Sequence, residues 1–266
     1  LAAKWHGKRF SQGISLGSFC HAAMTLKNIG FRLFSGPFDW IFSYPEVTAH
    51  VLEDDFKLFL DPSQYEPVAL EKRVVPDANR CNHRFYRDRF GLQFLFNHHS
   101  PDQESDYLHF QRAVNRFRAA MASDIPPLLL MVTQEPIDID RYQPVLHALD
   151  RFGRGYGLLL VRFVEKRRAS SSHLEDVVQV VEEHECFLGL ELRVNSPTNG
   201  LRFSDGLDEE YFASLLRSFD VVRHPGLNLR TRLTCDAFDG DWYVHRHPDV
   251  AKAIASGLFS SAWHHY

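Results

Sequence analysis

The sequence predicts an α/β domain in three layers: a mostly parallel sheet with helices on both faces, followed by a small helical C-terminal appendage. Three observations carry that expectation. Apolar runs of strand length, such as Leu128–Val132 and Leu158–Val161, alternate with segments of helical periodicity through the second half of the chain. Their lengths suit parallel strands joined by right-handed crossovers. A composition shift after Pro225-Gly226 sets a tail apart, so an α/β, cysteine-containing, catalytic-type domain is expected over 1–235 and a helical tail or connector over 236–266.

Taken in order, Gly13–Cys20 alternates apolar and small residues like a short buried strand. The following Ala22, Ala23, Leu26 and Ile29 lie at helical spacing, with Gly30 as a stop. A turn at Phe34–Ile41 precedes a helix near Glu46–Phe56, and the proline-punctuated stretch 61–93 reads as loops and short strands. Phe94–His99 reads as a strand ending in two histidines, and Tyr107–Met121 as a helix carrying Arg112, Arg116 and Arg118. Then come a strand at Pro127–Val132, a helix at Ile139–Phe152, a strand at Tyr156–Phe163, a helix at His173–His184, a strand at Phe187–Val194 and a helix at Tyr211–Phe219.

Composition narrows the function classes. The 266 residues are 44% hydrophobic, enough for one sizeable core. The 30 Lys and Arg against 34 Asp and Glu create no field that would attract nucleic acid or an anionic membrane. No run has the length of a membrane span, and the start, Leu1–His6, lacks the apolar core of a secretion signal. The missing initiator Met suggests processing or trimming. Cys20, Cys81, Cys186 and Cys235 form no C-x-x-C pair, and reduced thiols in a cytoplasmic protein fit that spacing best.

Cys20 is the leading reactive centre. It falls at the strand-to-helix turn, where unpaired N–H groups and the helix dipole favour a thiolate and could hold an oxyanion. A lowered thiol pKa follows from that setting, and Gly17 and Ser18 leave room for substrate. The same residue is equally readable as a small buried hydrophobe in a tight turn. Of the 15 histidines, His98 and His99 are best placed to act as base, because they end a strand; His21 points to another side of its helix. Asp39 either orients an imidazole or caps the turn after Pro37. Gly153–Gly157 has the wrong order for a dinucleotide loop, Glu165–Arg168 reads as a solvated face or a phosphate contact, and the C-terminal histidines lack a metal-ligand framework.

The run Ser15-Leu16-Gly17-Ser18-Phe19-Cys20-His21-Ala22-Ala23, followed by Leu26, Gly30 and Ser35-Gly36-Pro37-Phe38-Asp39-Trp40-Ile41, resembles the opening signature of a bacterial family of papain-like cysteine peptidases. Phe96-Asn97-His98 before an Arg-bearing helix matches a later block of the same family, with His99 standing where an aspartate is expected. The resemblance spans roughly 13–165 and implies Cys20, His98 and Asp39 as catalytic residues, with Gly17, Ser18 and Trp40 beside the substrate. The arrangement is also similar to capsule-biosynthesis proteins thought to transfer acetyl groups from coenzyme A. The tail, Phe238–Val250 through Tyr266, is similar to a segment of bacterial glycosyltransferases and exopolysaccharide proteins, which implies further domains of a larger polypeptide.

Together these readings imply a cysteine-dependent acyl-transfer enzyme, hydrolase or transferase, acting on a glycan precursor or a peptide. Coenzyme A would be the donor in the transferase version, and no metal is called for. The alternatives are a glycosyltransferase or sugar-nucleotide-binding module in which Cys20 is structural, and a non-catalytic glycan-binding scaffold.

Overall fold

The structure, a computed structural model, describes residues 3–73, 78–152, 155–166 and 173–222, with Val244, Ile254 and Ala255 beyond them. Contacts divide the chain into two units, Leu1–Val222 and Arg223–Tyr266. The tail expected over 236–266 lies outside the described residues apart from the three just named, as do Gly153, Arg154, Arg167 and Arg168.

In chain order the first unit holds β1 (Arg9–Phe10), β2 (Gly13–Ser15), α1 (Cys20–Asn28), α2 (Pro45–Glu53), β3 (Tyr65–Pro67), β4 (Cys81–His83), α3 (Arg84–Phe90) and α4 (Glu104–Met121). It continues with β5 (Leu128–Thr133), α5 (Ile139–Asp150), β6 (Gly157–Glu165), α6 (Leu174–Val177), β7 (Val178–Glu183), β8 (Phe187–Val194), α7 (Gly206–Arg217) and β9 (Asp220–Val221).

The fold is α/β with a mixed sheet. Five strands run in the order β2-β5-β6-β8-β7; the first four are parallel and β7 is antiparallel to β8. β5 is buried along its whole length, which accounts for an apolar run without alternation. Each face of the sheet feeds its own cluster of apolar residues. Leu129, Met131, Leu158, Leu160 and Phe187 join side chains of α2, α4 and α5, among them Val47, Phe117 and Val145. Leu128, Leu130, Leu159, Leu188 and Leu190 join side chains of α1 and α7, among them Leu26 and Phe212.

Local chemistry sets the helix ends. Asp138 and Asp205 cap α5 and α7 by accepting the N–H of Asp140 and Leu207, and Pro45 occupies the first turn of α2, where a missing N–H costs nothing. Gly91 closes α3 at φ 69, the left-handed position that glycine fills at helix C-termini.

Three expectations are corrected. The helix over His173–His184 is a single turn, α6, followed by strand β7. Three of the four residues Val178-Gln179-Val180-Val181 are β-branched, and pairing with β8 overrides their weak helical spacing. The strand over Phe94–His99 reduces to bridges from Phe96 to Ile41 and Cys81, because Phe94 sits at φ 53, outside the extended region. The loop reading of 61–93 misses α3, whose seven residues Arg84–Phe90 carry a low-contrast apolar pattern.

Candidate active site

The loop between β2 and α1 is built from its backbone outward. Gly17 and Ser18 are both left-handed, at φ 91 and φ 72, so the chain reverses sharply after β2 and delivers Cys20 as the first residue of α1. Three hydroxyls hold that turn. The Gly17 N–H donates to Ser15 Oγ (3.2 Å), the Ser18 N–H donates to Ser43 Oγ (3.0 Å), and Thr48 Oγ1 donates to the Leu16 carbonyl (3.3 Å). A Cβ on Gly17 would lie 2.1 Å from Ser43 Oγ, against a backbone angle that L-residues avoid. Gly17→Ala is therefore expected to destabilise the fold by about 2–4 kcal/mol through strain and the displaced hydroxyl, read as a lowered denaturant midpoint with unchanged slope. A midpoint within error of the parent would show that the turn tolerates a side chain.

Cys20 is 3% exposed. Burial, and then the neighbouring Asp39 charge, push its thiol up to about 11, while its own backbone N–H pulls weakly the other way. The expectation of a lowered pKa is thus overturned for the unliganded protein, because desolvation of the thiolate outweighs the start of α1. Among the described residues no side chain caps the start of α1, whose N-cap position is held by Phe19.

Asp39 is fully buried and is held by Arg32 and by its own turn. Its Oδ2 accepts from Arg32 Nη1 (2.6 Å) and from the Gly36 N–H (3.0 Å), and its Oδ1 is buried without a hydrogen-bond partner. Burial drives its carboxyl up to about 6, with Arg32 and the Gly36 amide opposing. The Gly36–Asp39 turn packs on β2 and its loop: a Cβ on Gly36 would meet Ile14 at 3.4 Å, and one on Gly17 would meet Phe38 at 3.7 Å. That packing explains why Asp39 acts electrostatically on Cys20.

Trp40 is half-buried and takes the Arg32 guanidinium over its ring at 5.4 Å. The His98 ring meets Trp40 edge-on at 6.4 Å, its Nε2 lies 2.9 Å from Asn97 Nδ2, and its carbonyl accepts from Arg80 Nη1 (3.2 Å). The Phe42 N–H donates to the Leu95 carbonyl (3.0 Å), which lays the Asp39–Phe42 block along residues 95–98. Contacts among the described residues thus run from Asp39 to Arg32, Trp40 and His98 in turn, while Cys20 is joined to this series only through the charge of Asp39. His99 goes elsewhere, stacking on His109 at 4.6 Å with Nδ1 3.2 Å from Asp106. His21 is fully buried among Phe163, Phe203 and Phe212, between Glu209 (2.8 Å) and Thr198 (2.9 Å).

Arg32, Ser43 and Thr48 were not foreseen. Arg32 stands seven residues before Asp39, a separation that no periodicity links, and the two serine and threonine contacts are set by where α2 packs. A cavity of about 610 Å³ opens beside the loop, lined by Ser18 and Phe19 on one side and by Val132–Glu135 at the end of β5 on the other. Among the described residues no cluster of three or more His, Cys, Asp or Glu could hold a metal ion, and no helix is long and apolar enough to cross a membrane.

A cysteine opening a helix at the carboxyl end of a parallel strand, beside a cavity, stands at the edge where open α/β sheets bind their ligands. Residues 11–146, about half of the chain, match the family described as "Putative papain-like cysteine peptidase (DUF1796)", and the chain belongs to that family. It is also 32% identical over 120 residues to an uncharacterized protein of Acanthamoeba polyphaga mimivirus, an alignment covering 39% of this chain and 52% of that protein. The alignment thus spans about half the length of that viral relative. No solved structure matches the chain.

Proposed function

We propose that the protein is a cysteine hydrolase in which Cys20 is the nucleophile, His98 the general base and Asp39, through its unpartnered Oδ1, the group that orients the imidazole. The observation that carries this reading is the placing of Cys20 as first residue of an uncapped helix, inside the matched region that also contains Asp39 and His98. Because the resting thiol is neutral, its proton moves to His98 as sulfur attacks the carbonyl carbon. The carbonyl electron pair becomes an oxyanion facing the first N–H groups of α1. Collapse expels the leaving group, which takes the proton from the imidazolium, and water then cleaves the thioester. Gly17, Ser18 and Trp40 border the reacting group in this reading.

An acyl-transferase version differs in donor and acceptor: coenzyme A supplies the acyl group and leaves as its thiol, and a hydroxyl of a bacterial surface-glycan precursor takes the place of water. The three-layer arrangement, a cytoplasmic location that keeps Cys20 reduced, and further domains joined through the tail belong to the same proposal. The two apolar clusters support the first of these.

One observation favours a second reading: burial of Cys20 beside a carboxylate suits a structural cysteine, as in a sugar-nucleotide-binding module. Alkylation separates the two. Iodoacetamide modification of Cys20 alone should rise about tenfold per pH unit from pH 7 to 10 without a plateau, since a thiol near 11 is only about 10⁻⁴ ionised at pH 7. An acyl-mimicking electrophile should nevertheless label Cys20 selectively at pH 7, about 10²-fold slower in His98→Ala. Labelling that ignores Cys20, or is indifferent to His98, leaves the structural reading.

A further inference from the structure

The cavity beside the Cys20 loop lies where the chain diverges. After β2 it turns into α1, whose Ala22 and Leu26 join one face of the sheet; after β5 it turns into α5, whose Val145 and Leu149 join the other. Adjacent parallel strands whose connections leave to opposite faces open a crevice at their carboxyl ends, and ligands of such sheets bind there. At about 610 Å³ this crevice is within the size of small-ligand sites.

Its lining specifies what enters. Four aromatic rings that keep some exposure, Phe19, Phe42, Tyr44 and Phe94, line it, over a floor that includes the buried Tyr142. At the rim, Gln93 and Gln134 are exposed, and no hydrogen bond among the described residues engages their side chains; the Glu135 carboxylate follows Gln134. The cation in the lining, Arg141, is committed to Glu46 at 2.8 Å, so the cavity has no unpaired positive charge for a phosphate or carboxylate. β5 is paired on both sides, by β2 and β6, so it offers no free edge to which an extended peptide could add. Ring faces for a C–H surface and planar carboxamides for neighbouring hydroxyls are the complement of an uncharged sugar.

We propose that this cavity binds a neutral saccharide, held by the aromatic rings and by the carboxamides of Gln93 and Gln134. It deepens the hydrolase reading by naming the class of group held next to the reacting bond, and in that sense rests on it. Binding itself needs no thiol.

The test is saturation-transfer NMR and titration on the full chain, with cellobiose, maltose and N,N′-diacetylchitobiose as neutral probes. An uncharged N-acetyl dipeptide amide and inorganic phosphate serve as the contrasting ones. At least one disaccharide should bind, at least fivefold more weakly in each of the exposed-site variants Gln93→Ala and Gln134→Ala, and unchanged in Cys20→Ser. No disaccharide binding, binding indifferent to both glutamine variants, or tighter binding of the dipeptide amide or phosphate overturns the proposal. Saccharide binding without selective labelling of Cys20 would sink the hydrolase reading and leave the cavity assignment standing; the reverse outcome would do the opposite.

Discussion

Cys20→Ser should abolish turnover while leaving the fold intact. The substitution keeps nearly the same volume at a position that is 3% exposed, so the loop between β2 and α1 has no reason to rearrange. Chemistry is another matter: an alcohol in the same surroundings is a much poorer nucleophile and its acyl ester forms far more slowly. A loss on the order of 10⁴-fold or more in the hydrolysis of a p-nitrophenyl ester or peptidyl anilide is expected. The loss should appear in acylation, seen as absence of the covalent adduct by intact mass, with an unchanged near-ultraviolet circular dichroism spectrum. Retention of a tenth of the activity would remove Cys20 from the mechanism whatever the sequence signature says.

The second large effect is on stability and concerns Arg32. The Arg32–Asp39 pair is closed off from solvent, with side chains 10% and 0% exposed, so removing the guanidinium strands a buried carboxylate. Arg32→Met is expected to cost about 3–5 kcal/mol at pH 8. The pH dependence gives the mechanism away. Asp39 titrates at about 6 in the folded chain, above its ordinary 3.8, so protonation favours the folded state. Its contribution is fully present below about pH 4 and is lost as pH rises through about 6, a swing of roughly 3 kcal/mol. Without Arg32 the carboxyl holds its proton to still higher pH, so the cost of the substitution should shrink markedly at pH 5. Denaturant midpoints at pH 5 and pH 8 measure this; an equal cost at both would mean that Arg32 acts by packing alone.

What the sequence disclosed depended on the range of the interactions involved. β5, β6 and β8 were legible because continuous apolar runs have one stable home, between two apolar layers. β7 was not, since Val178–Val181 becomes a strand only once β8 offers it a partner; a four-residue valine-rich run carries no local mark of that pairing. In the site, Cys20 at the start of a helix followed from Gly17-Ser18 and the alanine spacing behind it. The environment of the thiol did not follow, because it is set by Asp39, delivered by a turn that packs on β2 from nineteen residues away. Phe94 shows the same limit: an aromatic residue in an apolar run reads as extended, and its left-handed backbone is imposed from outside, where its N–H meets Asn82 Oδ1 at 2.6 Å.

The recognisable signature and the folding unit are of different lengths. The family match stops at residue 146, inside α5, yet β5 takes its second row of ladder partners from β6, residues 157–165. A chain cut at the signature's end would leave Leu128–Thr133 as a bare, uncharged sheet margin, the kind of surface that templates self-association. The half that carries the cysteine motif thus depends, for its solubility, on a half whose residues the motif does not mention.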